Sequence, residues 1–233
     1  MTALIESGRL VSFTYPRATG RPMTQTSFST LQALSDAELA NLEQLGFTRM
    51  TEIQQQTLPK ALAGEDIIAQ AKTGSGKTAS FAIPLLHKLN QRFFAAQALV
   101  LCPTRELASQ VADDIRKLAR FQANIKVVVL SGGVPIGPQI ASLEHGAHVV
   151  VGTPGRIKDH LRKNTLDLSH IETLVLDEAD RMLDMGFRDD IHEIAAQTAR
   201  KRQTLLFSAT YPPNIEELSR SLQHKPVRIS VAS

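Results

Sequence analysis

A chain of 233 residues, 42% of them apolar and 21% charged, is long enough for a buried core and too apolar for a disordered tail. Its formal charge of +3 excludes strong whole-molecule steering of an anionic partner, because Arg9, Arg17 and Arg21 against Glu6 place +2 in residues 1–22 and leave the remainder nearly neutral. The single cysteine, Cys102, excludes an internal disulfide and a cysteine-based metal centre, and no apolar run reaches the roughly 18 residues that span a membrane.

Residues 1–27 contain Gly8, Pro16, Gly20 and Pro22 without sustained periodicity and are expected to form a flexible leader ahead of one domain over 28–233. From Leu31 onward, short Val/Ile/Leu-rich runs alternate with helical patterns. Strands are expected over 66–70, 98–102, 126–130, 148–152, 173–177, 204–208 and 227–231. Their near-continuous apolar character implies burial on both faces. Helical periodicity fits 78–89, 105–121, 155–163, 188–200 and 214–223, with "DEADRMLDMGF" (177–187) continuing as a helix. The alternation implies an α/β fold, a doubly wound, mainly parallel sheet flanked by helices. Cys102, at the end of an apolar run, reads as a buried bystander, and none of the seven histidines has a metal-binding spacing. The expected setting is the cytoplasm.

In such a sheet, ligands bind beyond the carboxyl ends of the strands. Every unusual short motif follows a predicted strand: "AKTGSGKT" the first, "PTREL" the second, Gly132-Gly133 the third, "TPGR" the fourth, "DEAD" the fifth and "SAT" the sixth. They therefore share one predicted rim. The stretch "QAKTGSGKT" (70–78) nearly spells the phosphate loop G-x-x-x-x-G-K-[ST], with Ala71 in place of the first glycine. Gly74 and Gly76 allow a tight loop whose N–H groups point inward, and the following helix N-terminus adds partial positive charge. Lys77 can then reach the β- and γ-phosphates of a nucleotide, and the Thr78 hydroxyl can ligate Mg²⁺. At the end of "TLVLDEAD", Asp177 would hold the Mg²⁺ and Glu178 would orient or deprotonate an attacking water. Read without the phosphate loop, the same acids are an ordinary helix N-terminus.

Together these motifs resemble the DEAD-box ATP-dependent RNA helicases over nearly all of 28–230. That family's phosphate loop reads A-x-T-G-x-G-K-T, so Ala71, Lys72, Thr73, Gly74, Ser75, Gly76, Lys77 and Thr78 match it as they stand. The resemblance extends to "GFTRMTEIQ" (46–54), "PTRELA", Gly132-Gly133, "TPGR" and "SAT", and within the family is greatest for bacterial, DbpA-like members. It implies a RecA-like N-terminal domain that binds ATP and Mg²⁺, with Phe47 stacking on adenine and Gln54 reading its edge. It further implies an RNA-backbone track of Thr104, Arg105, Gly133, Thr153 and Arg156, and a coupling element in which Ser208 and Thr210 are hydrogen-bonded to Asp180. Phe28 matches the upstream aromatic of the family, whereas Met50 departs from the usual proline, which bears on the rigidity of that loop. The expected partners are RNA, ribosomal RNA by the DbpA-like match, and a second RecA-like domain of the same protein lying beyond this sequence; the chain is expected to be monomeric. Another P-loop ATPase, such as a DNA translocase, and a stand-alone nucleotide- or RNA-binding module are the alternatives, the first disfavoured by Gln54 and the complete DEAD sequence.

Overall fold

A computed structural model of the protein describes residues 26–231. Residues 1–25, most of the expected leader, lie outside the described residues. Thr26 and Ser27 belong to the domain: the Thr26 carbonyl accepts the Met50 N–H at 3.0 Å, and Ser27 caps a 3₁₀ turn at Phe28–Thr30. The Met50 bond is one that proline could not make. Met50 is also 2% exposed, so at this departure from the usual proline the loop is held by burial and a hydrogen bond.

Seven strands form one sheet: β1 (Ile67–Gln70), β2 (Ala98–Leu101), β3 (Val127–Leu130), β4 (Val149–Gly152), β5 (Thr173–Leu176), β6 (Gln203–Ser208) and β7 (Val227–Ser230). The order is β3-β4-β2-β5-β6-β1-β7, and every neighbouring pair is parallel. Nine helices accompany them among the described residues: α1 (Asp36–Gln44), α2 (Glu52–Leu62), α3 (Lys77–Lys88), α4 (Arg105–Leu118), α5 (Gly137–Glu144), α6 (Pro154–Arg162), α7 (Ala179–Asp184), α8 (Arg188–Ala196) and α9 (Pro213–Leu222). The period-2 alternation of each strand divides its side chains between two cores. Ala98 and Val100 of β2 join Leu58 of α2, Phe81 of α3 and Ile115 of α4 on one face. Leu99 and Leu101 join Ile157 of α6, Met182 of α7, Ile191 of α8 and Leu218 of α9 on the other.

All seven expected strands are present within a residue or two of their expected ends. The expected helix over 177–187 is shorter, α7 running only from Ala179 to Asp184, because Gly186 at φ +82° turns the chain before α8. The expected helix over 188–200 stops at Ala196, where the Thr198 hydroxyl takes the Ala195 carbonyl at 2.7 Å and ends the ladder. Three helices were not expected, namely α1, α2 and α5. The first two begin with capping pairs, Ser35/Glu38 and Thr51/Gln54, in which the side chain three residues on accepts the cap's backbone N–H.

Candidate functional site

The parallel sheet sends the carboxyl ends of β1 to β6, and all six motifs, to one rim. Ala71 leaves β1 with its N–H donated to the Ser208 carbonyl at 3.0 Å and is 4% exposed, so its methyl belongs to the core beneath the loop. Lys72, Thr73 and Gly74 are exposed, and Ser75 folds back to donate its hydroxyl to the Lys72 carbonyl at 2.7 Å. Gly76, at φ +89°, caps α3, so Lys77 and Thr78 open the helix. A side chain at Gly76 would lie 2.6 Å from Gln54 Nε2, so both the left-handed backbone and the crowding require glycine.

Lys77 turns under the loop toward β5. Its Nζ lies 2.9 Å from Asp177 Oδ1 and 3.6 Å from Glu178 Oε1, with Asp177 fully buried. Apart from this ion pair, neither Asp177 oxygen has a directed hydrogen-bond donor. Burial raises the Asp177 pKa and Glu178 adds to the rise, while Lys77 opposes them. A buried carboxylate in that condition suits a cation, and Thr78 stands half-buried one residue beyond Lys77. Glu178 carries the left-handed backbone at φ +52°, an unusual conformation for a non-glycine residue that costs about 1–2 kcal/mol. Cys102, buried nearby, has its thiol pKa pushed well up by burial and by the negative charges of Asp177 and Glu178, which leaves it an inert packing residue.

Gln54 is 2% exposed and spans α2 and the loop: Oε1 accepts the Thr51 N–H at 2.9 Å and Nε2 donates to the Gly76 carbonyl at 3.1 Å. An amide has a second lone pair and a second hydrogen, which are what remain for an adenine edge. Phe47 is half-buried and stands edge-on to Phe28 with centroids 6.1 Å apart.

Asp180 joins the fifth and sixth strand ends. Its Oδ2 accepts the Thr210 N–H at 3.0 Å and the Thr210 hydroxyl at 2.9 Å, and its Oδ1 accepts the Arg181 N–H at 3.0 Å. Burial pushes the Asp180 pKa up, but these donors, the Thr210 hydroxyl first, outweigh it and hold the carboxyl below its ordinary range. The Ser208 hydroxyl donates to the Thr210 carbonyl at 2.7 Å and also lies close enough to Asp180 to help hold its carboxyl ionised. A carboxyl with a depressed folded pKa stabilises the fold above its unfolded pKa, and that contribution is lost as pH falls through the folded value. Thr210→Val is therefore expected to raise the Asp180 pKa and shift acid unfolding to higher pH. An NMR titration of the Asp180 carboxyl checks this; an unchanged midpoint would refute the assignment.

The candidate nucleic-acid residues cluster around a hollow of about 380 Å³, lined by Pro103, Arg105, Gly132, Thr153, Arg156 and Phe187 among others. Thr104 caps α4 by accepting the Leu107 N–H at 3.3 Å, leaving Arg105 exposed. Gly133, at φ +77°, holds the left-handed backbone that favours glycine, and a Cβ there would meet Arg105 Nη1, the movable end of an exposed side chain, at 2.8 Å. Arg156 is more enclosed than the sequence implied: its side chain is 13% exposed, and Nη1 donates to the Val134 carbonyl at 3.0 Å. Phe187 and Asp159, neither singled out from the sequence, also line the hollow, brought there by the turn before α8 and by the third residue after Arg156 on α6. A separate hollow of about 1000 Å³ opens at the opposite rim, beside the amino ends of β2, β4 and β5, and contains none of the motif residues.

The family model for DEAD/DEAH box helicases matches residues 51–218. The chain is 53% identical over 208 residues to the ATP-dependent RNA helicase DbpA of Escherichia coli, covering 89% of this chain and 46% of that protein. It is 46% identical to the ATP-dependent RNA helicase CshA of Listeria monocytogenes, covering 88% and 39% respectively. Among solved structures, a DEAD box protein from the hyperthermophile Methanococcus jannaschii superimposes with a TM-score of 0.84 at 43% identity, over 88% of this chain and 56% of that one. A hypothetical ATP-dependent RNA helicase from Sulfolobus tokodaii gives 0.78 at 40% identity, over 85% and 57%. The chain thus spans about half the length of the curated relatives it matches. With the phosphate loop, the DEAD strand end and the SAT contact already assembled on one rim, the matched residues take in the whole of that site, and the chain belongs to the DEAD/DEAH box helicase family.

Proposed function

We propose that the chain is the nucleotide-binding half of an ATP-dependent RNA helicase. The observation that carries this reading is Asp177, a buried carboxylate without a directed hydrogen-bond donor, ion-paired to Lys77 at the start of α3. Gly76 leaves the first N–H groups of α3 open toward the loop, a setting suited to phosphate. Lys77 neutralises Asp177 and Glu178 until nucleotide arrives, and then has the β- and γ-phosphates within its chemistry. Thr78 and Asp177 would hold Mg²⁺, which would supply charge neutralisation at the phosphates. Glu178, 16% exposed beside them, is placed to orient water and accept its proton. Phe47 and the free valences of Gln54 serve the adenine.

Arg105, the Gly133 loop, Thr153 and Arg156 serve the sugar–phosphate backbone of RNA, and the Asp180–Thr210 contact links the two functions across adjacent strand ends. In this reading a second RecA-like domain, in the length that the relatives have and this chain does not span, closes over ATP and contributes cationic fingers worth about 10³- to 10⁵-fold in rate. A ribosomal RNA target, implied by the DbpA-like resemblance of the sequence, and a cytoplasmic monomer complete the reading. Among the described residues no helix is long and apolar enough to cross a membrane.

The test is nucleotide turnover with and without nucleic acid. The 233-residue chain alone is expected to bind adenine nucleotide and hydrolyse it poorly, while the intact helicase is stimulated by single-stranded RNA and little by single-stranded DNA. Equal stimulation by DNA would favour a translocase, and robust unwinding by this chain alone would refute the need for a second domain.

A further inference from the structure

Arg156 and the loop that carries Gly132 and Gly133 are held from behind by a buried polar chain that the phosphate-contact residues do not include. Gln139, 8% exposed on α5, donates its Nε2 to the Ser131 carbonyl at 2.9 Å. Its Oε1 receives Arg156 Nη1 at 3.3 Å and faces His160 Nε2 at 2.9 Å. The orientation of the amide follows from its neighbours, since a carbonyl only accepts and a guanidinium only donates. His160 must then donate from Nε2. Its Nδ1 lies 2.8 Å from the Thr165 hydroxyl, whose one hydrogen is shared between that nitrogen and the His160 carbonyl at 3.2 Å. His160 is fully buried, and burial followed by the charge of Arg156 lowers its pKa, which favours the neutral ring with its proton on Nε2.

The chain Thr165–His160–Gln139 therefore ends on both halves of the hollow. It fixes the Ser131 carbonyl at the root of the glycine loop and the guanidinium of Arg156, which in turn holds the Val134 carbonyl. Nε of Arg156 lies 3.7 Å from Asp159 Oδ2 and both hydrogen bonds use Nη1, so among the described residues Nη2 is left for a ligand. We propose that His160 and Gln139 are positioning residues for RNA-backbone binding, setting the plane of Arg156 and the shape of the 131–136 loop without touching RNA. The inference rests on the reading of the Arg105–Arg156 hollow as the RNA track.

Affinity of the 233-residue chain for a fluorescent single-stranded oligo(U) at low salt, measured beside its affinity for a fluorescent ADP, tests this. His160→Leu keeps the volume and removes both ring nitrogens; it is expected to weaken RNA binding about tenfold, the scale of one misdirected charge-assisted hydrogen bond. ADP affinity should stay unchanged. His160→Gln restores a donor near the Nε2 position and is expected to recover most of the RNA affinity. Gln139→Met supplies the same test from the other side of the bond should His160→Leu not fold, and is expected to lose RNA affinity alone. Arg105→Ala distinguishes the two layers of the account. Weaker RNA binding by Arg105→Ala with none by His160→Leu or Gln139→Met would overturn the positioning role and leave the track standing. RNA binding unaffected by Arg105→Ala would overturn the track and the positioning role together. Parallel loss of RNA and ADP affinity in His160→Leu and Gln139→Met, or no recovery in His160→Gln, would reduce the chain to a structural one and overturn the proposal.

Discussion

Glu178→Gln is expected to leave nucleotide binding nearly unchanged while slowing ATP turnover in the intact helicase by about 10²- to 10⁴-fold, the range for losing a positioned general base. The substitution is nearly isosteric, so the left-handed backbone at φ +52° and the packing at the start of α7 are kept. What changes is charge. Lys77 loses a partner at 3.6 Å and Arg181 one at 3.4 Å, while Lys77 retains Asp177 at 2.9 Å. Removing the Glu178 charge also takes away one of the influences that raise the Asp177 pKa, so the proposed cation ligand ionises more readily. The phosphate loop is untouched. Pre-steady-state binding and single-turnover hydrolysis separate the two effects; equal turnover in the variant would remove Glu178 from the base role.

Gly76→Ala is expected to destabilise the domain by about 2–4 kcal/mol, combining left-handed strain with overpacking. The same change should remove measurable nucleotide binding. The new methyl would stand 2.6 Å from Gln54 Nε2 and 3.0 Å from the Thr51 hydroxyl, so Gln54 must abandon the Gly76 carbonyl. The cap of α3 and the start of α2 then separate at the place where adenine and phosphate contacts meet. Gly74→Ala is the control, with φ +82° but nothing within 4 Å of its Cβ, and should cost only the backbone strain of about 1–2 kcal/mol. Denaturant unfolding with ADP titration measures both. Equal effects of the two substitutions would mean that crowding against Gln54 is not what demands glycine at position 76.

The five inner strands are readable because each is buried on both faces, so that composition alone marks them, whereas the edge strand β7 exposes Arg228 and Ser230 and β3 is only partly covered; the motifs then fall on one rim from chain order. Ala71 is a case where the general phosphate-loop pattern misleads: it lies in the core at the exit of β1, and the flexibility the loop requires is at Gly74 and Gly76. The helices α1, α2 and α5 carry little periodic signal, because their apolar faces are short and mixed with polar residues that cap or pack. What the sequence does not carry is the partner of each polar side chain. Gln54 is recognisable as a motif residue, yet its bond to Gly76 depends on how α2 lies against α3. Arg156 is expected in the RNA-backbone track, and the fold of the 131–136 loop turns most of its guanidinium inward. Gln139 and His160 lie 17 and 21 positions from the groups they meet and have no motif of their own.

The central claim, that one rim of the sheet carries a nucleotide site and an adjoining RNA track, is tested most directly by backbone amide NMR of the 233-residue chain during successive addition of Mg-ADP and single-stranded RNA. Nucleotide is expected to shift the amides of 71–78 and 177–180, and RNA those of 104–105, 132–134, 153 and 155–156. Shifts confined to the opposite rim, around Phe94 and Leu166, or no response at 71–78 to nucleotide, would contradict it.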